Sequence, residues 1–168
     1  MHPLTHDQIL TIIAAYNNNP QHLVAILLDI QAASGRNYVS KKWAELVSEK
    51  LKIPLSQVFE ALTFYSMLST EPRGQYLIEI CKSPPCYFSG GEDVKNWFEE
   101  AAQISVGQTS ADGKISLEYT SCIGACDTGP SVKIGDRVFG NLDRDKVFEI
   151  VKCCREGNLD TFNPEKER

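Results

Sequence analysis

Glu71-Pro72-Arg73-Gly74-Gln75-Tyr76-Leu77-Ile78-Glu79-Ile80-Cys81-Lys82-Ser83-Pro84-Pro85-Cys86 is where the chain changes character. Proline and glycine punctuate it between Glu71 and Gly74. Upstream, apolar residues recur with helical spacing and no cysteine occurs. Downstream, Tyr76 to Ile80 alternates like a strand and runs into Cys81, the first of six cysteines.

Working back from this stretch, Val58, Phe59, Leu62, Phe64, Tyr65 and Leu68 mark a helix after Pro54. Trp43, Leu46, Val47 and Leu51 mark another, with Ser40 as its N-cap. Leu23, Ile26, Leu27 and Ile30 mark a third that ends near Ser34-Gly35. Ile9, Ile12, Ile13 and Tyr16 mark the first, where Thr5 and Gln8 have the spacing of a capping box. Short links between short helices predict a small bundle.

Working forward, Val94 to Ala102 reads as a helix carrying Trp97 and Phe98. Ile115 to Tyr119, Val132 to Ile134 and Val138-Phe139 read as strands, and Asp143 caps a last helix through Val147, Ile150 and Val151. The fold class is therefore α+β. A helical bundle over residues 1–71 is followed by a small α/β domain over 72–168. The charged tail from Asn163 to Arg168 is expected to fray.

Composition narrows the function. Seventeen basic against 22 acidic residues give a net charge of −5, with no Lys/Arg cluster to grip nucleic acid or an anionic membrane. The longest apolar run, Leu23 to Leu28, falls far short of the ~20 residues that span a bilayer, so no membrane insertion is expected. The first residues carry no Lys or Arg before their apolar stretch and do not read as a signal peptide. The expected location is the cytoplasm, free or peripheral on the inner face of a membrane complex. In that reducing compartment, grouped cysteines bind metal or carry redox chemistry more often than they form disulfides.

The cysteines fall in three pairs: Cys81 and Cys86, Cys122 and Cys126, Cys153 and Cys154. Cys81 and Cys122 each follow a predicted strand and open a loop of turn-forming residues, Lys82-Ser83-Pro84-Pro85 and Ile123-Gly124-Ala125. If those strands are neighbours, four thiolates meet at one end of the sheet. Such a set suits tetrahedral zinc or an iron–sulfur cluster. Zinc sites favour C-x2-C pairs, whereas the pairs here are C-x4-C and C-x3-C, which suits the longer two-iron centre. Two ferric ions, two sulfides and four thiolates carry a formal charge of minus two, and one added electron takes it to minus three. Backbone N–H donors, for instance at Pro85-Cys86 or Gly124-Ala125, are expected to stabilise that charge. The residues alone leave a 2Fe–2S cluster, a zinc-stabilised binding module without redox role, and ordinary buried cysteines all open.

Three stretches carry a resemblance. Ala61-Leu62-Thr63-Phe64-Tyr65-Ser66-Met67, Glu79-Ile80-Cys81-Lys82-Ser83-Pro84-Pro85-Cys86 and Ser121-Cys122-Ile123-Gly124-Ala125-Cys126-Asp127-Thr128-Gly129-Pro130 resemble motifs of the thioredoxin-like 2Fe–2S subunit family. That family comprises the E-type subunit of respiratory complex I and subunits of NAD(P)-linked and electron-bifurcating hydrogenases and formate dehydrogenases. The 35 residues between Cys86 and Cys122, and the Gly113-Lys114-Ile115-Ser116-Leu117 strand, are similar to the family's, and the match runs from about Leu23 to Ile150. Leu62 stands where the family often has Ala or Val, and Cys153-Cys154 is outside its pattern.

The resemblance implies a thioredoxin-like second domain and one 2Fe–2S cluster held by Cys81, Cys86, Cys122 and Cys126. It also places Gly129-Pro130 where such folds often have a cis-proline. Cys153 and Cys154 are then structural residues of the last helix. The chain shows neither G-x-x-x-x-G-K-[ST] nor G-x-G-x-x-G. A one-electron cluster cannot accept a hydride, which delivers two electrons together. A partner flavoprotein subunit is therefore expected to bind NAD(P)H and FMN, with a further iron–sulfur subunit beyond it and the helical half as the docking element. Whether the complex is a soluble hydrogenase or formate dehydrogenase or an NADH:quinone oxidoreductase is not separable from these motifs. His2, His6 and His22 all lie in the helical half, away from the cysteines.

Overall fold

The computed structural model describes residues 4–159 and 162, so His2 and the tail from Asn163 onward lie outside the described residues. The chain divides into two units, one ending at Arg73 and the other beginning at Gly74.

The N-terminal unit contains α1 (His6–Ala15), α2 (Leu23–Ala33), α3 (Lys41–Leu51) and α4 (Leu55–Phe64). Thr5 closes the capping box at α1, its hydroxyl accepting from the Gln8 N–H while the Gln8 side chain accepts from the Thr5 N–H. The Ser40 hydroxyl accepts from the Trp43 N–H at the start of α3. The apolar stripes then meet: Ile9, Ile13, Ile26, Leu27, Ile30, Val47, Val58 and Leu62 are buried in one core. All four helices, and the caps of α1 and α3, thus follow the reading of the sequence.

The fourth helix is shorter than its spacing predicts. It stops at Phe64, and Tyr65 turns to an extended conformation at φ −86° and ψ 112°. Phe64 is 80% exposed and does not join the bundle core, while Leu68 is buried. The reason lies in what takes up the backbone groups beyond the helix. The buried Gln31 of α2 donates from Nε2 to the Met67 carbonyl (2.8 Å) and accepts the Ser69 N–H at Oε1 (2.8 Å). Arg73 donates from Nη1 to the same Met67 carbonyl (3.3 Å), and the Arg36 guanidinium donates to the Arg73 carbonyl (2.7 Å). These long-range partners replace an intrahelical ladder. Gln31→Ala leaves the part-buried Ser69 N–H without this acceptor and is expected to cost about 1 kcal/mol, read as a lower denaturation midpoint at unchanged helix content.

The C-terminal unit is built on β1 (Tyr76–Cys81), β2 (Ile115–Thr120), β3 (Val132–Ile134) and β4 (Arg137–Phe139). Its helices are the single turn α5 (Pro84–Cys86), α6 (Glu92–Ala102) and α7 (Arg144–Glu156). The sheet order is β2-β1-β3-β4, with β1 parallel to β2 and antiparallel to β3. Register sets Ile78 beside Leu117 and Ile134, and Ile80 beside Val132. These side chains form one core with Val94 and Phe98 of α6 and Val147, Ile150 and Cys154 of α7. The Asp143 carboxylate accepts the Lys146 N–H and starts α7, and Gly157 ends it at φ 79°. The strands and helices read from the sequence recur in the order β-α-β-β-β-α, with the α5 turn added. The Gly129–Pro130 peptide is cis, as the resemblance implies. Among the described residues no helix is long and apolar enough to cross a membrane.

Candidate metal centre

Because β1 and β2 are parallel neighbours, their C-terminal ends lie side by side: Cys81 pairs with Thr120, two residues before Cys122. Both cysteine-bearing loops therefore leave the same end of the sheet. Cys81 and Cys86 are buried, whereas Cys122 and Cys126 are exposed.

The first loop is more structured than its composition predicts. Ser83 precedes a helical turn whose first two residues are Pro84 and Pro85, where a missing N–H costs nothing and a fixed φ is favourable. The Tyr87 N–H donates to the Ser83 carbonyl (3.0 Å) and the Ser89 hydroxyl to the Pro85 carbonyl (2.8 Å). A kinked turn over Tyr87–Gly91 joins it to α6, with Gly90 at φ 97° making the kink. A Cβ at Gly91 would lie 2.8 Å from the Cys86 carbonyl oxygen, so glycine there lets α6 start directly behind the cysteine.

The sulfurs gather in two pairs. Cys122 Sγ lies 3.5 Å from Cys126 Sγ. Two thiolates sharing one tetrahedral ion at about 2.3 Å stand roughly 3.8 Å apart, so this pair is close to a chelating geometry. In the other pair both cysteines are buried, and the Cys86 side chain helps to lower the Cys81 thiol. Among the described residues no group of three or more His, Cys, Asp or Glu side chains converges on a single ion.

Electrostatics link the loops. Burial pushes the Cys81 thiol up, but the Ser83 N–H, the Cys86 side chain and the Ile123 N–H outweigh it and hold the thiol below its ordinary value. The Ile123 N–H belongs to the second loop, so that loop reaches the sulfur of the first. The Cys126 thiol is raised, first by its hydrogen bond with Cys122, then by burial and by the charges of Cys122, Cys86 and Cys81. The Cys126 sulfur is thus within electrostatic reach of the other three. The donor set is thiols throughout, which fits a soft metal centre.

The backbone donors to Cys81 are Ser83 and Ile123, neighbours of the Pro85-Cys86 and Gly124-Ala125 positions suggested by composition. Ser131 was not legible as a site residue at all. Its hydroxyl stands 3.5 Å from Cys86 Sγ, and its carbonyl accepts the Cys81 N–H (3.3 Å). The antiparallel register of β1 and β3 produces that placement, and no motif encodes it.

The remaining cysteines sit apart on α7. Cys154 is buried in the core of the unit, and burial pushes its thiol up to about 12, which keeps it protonated and a poor nucleophile. Cys153 is raised too, by burial and then by Glu149 and Glu156. Next to the first pair the surface is aromatic: Phe88 is 82% exposed and Tyr87 is exposed beside it. Lys82 lies over the Tyr119 ring at 5.7 Å.

A family model described as thioredoxin-like [2Fe-2S] ferredoxin matches residues 9–155. The HndA subunit of the NADP-reducing hydrogenase of Solidesulfovibrio fructosivorans is 28% identical over 87% of this chain and 84% of its own length. The E-type subunit of the NADH-quinone oxidoreductase of Rickettsia typhi is 30% identical over 84% of this chain and 84% of its own. Among solved structures, a chain of an air-oxidized NAD+-reducing [NiFe]-hydrogenase superposes with a TM-score of 0.76 at 19% identity. That match covers 88% of this chain and 25% of the hydrogenase chain, and it is a likeness of fold.

Proposed function

The chain belongs to the thioredoxin-like [2Fe-2S] ferredoxin family, and we propose that Cys81, Cys86, Cys122 and Cys126 hold its cluster. It is an electron-transfer subunit of a NAD(P)H-linked oxidoreductase complex, of the hydrogenase or the NADH–quinone oxidoreductase type represented by its relatives. The observation that carries the ligand assignment is the pairing of sulfurs at the ends of β1 and β2, with Cys122 and Cys126 already 3.5 Å apart.

When bound, a 2Fe–2S cluster supplies a site that takes up and gives back one electron. The protein's own part is to hold and tune it. The Cys81–Cys86 pair is anchored on a strand end and a helical turn, so its sulfurs are positioned by rigid elements. The Cys122–Cys126 pair lies on an exposed loop, on the side open to a partner. N–H donors from Ser83 and Ile123 stabilise negative charge on the Cys81 sulfur.

The electron's other station lies on a partner. NAD(P)H gives up two electrons as hydride, and this chain carries no phosphate-binding glycine motif. A flavoprotein subunit binding NAD(P)H and FMN would therefore exchange single electrons with this chain, with a further iron–sulfur subunit in the same complex. Exposed Phe64 and Met67 in the N-terminal unit support a docking role for that half. The chain would work in the cytoplasm, free or on the inner face of a membrane complex.

Anaerobic purification with its complex tests the assignment. Equal iron and acid-labile sulfide, a reducible EPR signal and a co-purifying flavoprotein are expected. Zinc without sulfide overturns the ligand reading, and a loaded cluster with no flavoprotein overturns the partner.

A further inference from the structure

We propose that Ser131 is a potential-setting residue of this protein, its hydroxyl donating a hydrogen bond to the sulfur of Cys86. The inference rests on Cys86 being a cluster ligand. Ser131 Oγ and Cys86 Sγ are 3.5 Å apart, within hydrogen-bonding range for sulfur. Either atom could supply the proton in the free thiol. A ligand thiolate has none, so in the loaded protein the serine must be the donor.

Three features make this contact more than incidental. Both residues are buried, so water does not compete for the sulfur. The serine backbone is fixed, because its carbonyl accepts the Cys81 N–H (3.3 Å) and Val132, the next residue, pairs with Ile80. Ser131 therefore touches both members of the first pair, one through its backbone and one through its side chain. The segment leading to it packs against the same sulfur: a Cβ at Gly129 would stand at ordinary contact distance, 3.6 Å, from Cys86 Sγ.

The direction of the effect follows from charge. Reduction adds one electron to the centre, with no bond made or broken by Ser131, and raises the negative charge on the ligand sulfurs. A buried O–H donor stabilises the more negative state more strongly, so it favours reduction. Ser131 is a positioning residue that acts through Cys86. Its removal is expected to weaken the reduction equilibrium by about tenfold, which is about 59 mV to more negative potential for a one-electron couple.

The test is a redox titration of the cluster-loaded full chain, followed by EPR, for Ser131→Ala and for the pair Ser131→Thr and Ser131→Val. Threonine and valine have nearly the same shape and differ by the hydroxyl. The Ala and Val variants are expected to shift to more negative potential at unchanged iron and sulfide content, with Thr close to the parent protein. In deuterated buffer, the parent and Thr proteins should show one exchangeable coupling to the reduced centre that the Val variant lacks. Equal potentials for Thr and Val overturn the proposal, also where Ala does not load. An unchanged potential in a loaded Ala variant overturns it as well. A parent protein that binds no iron and sulfide instead overturns the ligand reading beneath it, and this is measured first.

Discussion

Cys122→Ser is expected to yield a folded protein that has lost its iron, its acid-labile sulfide and its visible absorption. Cys122 sits on an exposed loop and is no part of either core, so its removal opens no cavity. Serine keeps the size but offers a hard oxygen that stays protonated near neutral pH, where a soft thiolate is required. Losing an outer-shell partner costs about 10–100-fold in metal affinity, and losing a ligand costs more, so a fall beyond about a hundredfold is expected. Iron and sulfide analysis of anaerobically purified protein reads the loss, and circular dichroism confirms that the fold remains. Cys153→Ser is the control and should stay loaded, because that thiol lies on α7 away from the four. An unchanged cluster in the Cys122 variant would remove this residue from the ligand set.

Phe98→Ala should have the largest effect on stability. Phe98 is wholly buried in the core of the C-terminal unit, where α6 meets the sheet residues Ile78, Ile80, Ile115 and Leu117. Truncating a buried phenylalanine costs about 3–5 kcal/mol through lost transfer energy and the cavity left behind. Domains of ordinary stability have only about 5–15 kcal/mol to lose. At roughly 4–8 °C per kcal/mol for a unit of this size, the melting temperature should fall by more than about ten degrees. Phe98→Leu, which refills most of the volume, should fall much less. A melting temperature within two or three degrees of the parent for the Ala variant would mean that α6 does not hold the sheet as described.

The two residues also differ in how openly the sequence announced them. Phe98 lies on a run, Val94 to Ala102, whose apolar spacing identifies a helix and its inward stripe, because one buried face at 3.6 residues per turn leaves a periodic trace. Asp143, Ser40 and the Thr5–Gln8 pair were equally legible, since capping is a contact between near neighbours in sequence. The cysteine pairs could be read from turn-rich loops following strands. Tyr65 and Leu68 misled for the same reason that the stripes informed. Their spacing continues a helix, but the decision to end it belongs to Gln31 and Arg73, whose hydrogen bonds reach Met67 from distant positions and from the far side of the turn.

Local order therefore decides the helices, the strands, the caps and the identity of the thiol donors, because each depends on residues within a turn or two. Three things depend on contacts dozens of residues apart, for which the chain keeps no periodic record. Parallel pairing of β1 with β2 brings Cys81 and Cys122 to one end of the sheet. The Ile123 N–H crosses from the second loop to the first sulfur. Antiparallel pairing of β1 with β3 sets Ser131 against Cys81 and Cys86, giving a plain serine a place beside the proposed ligands.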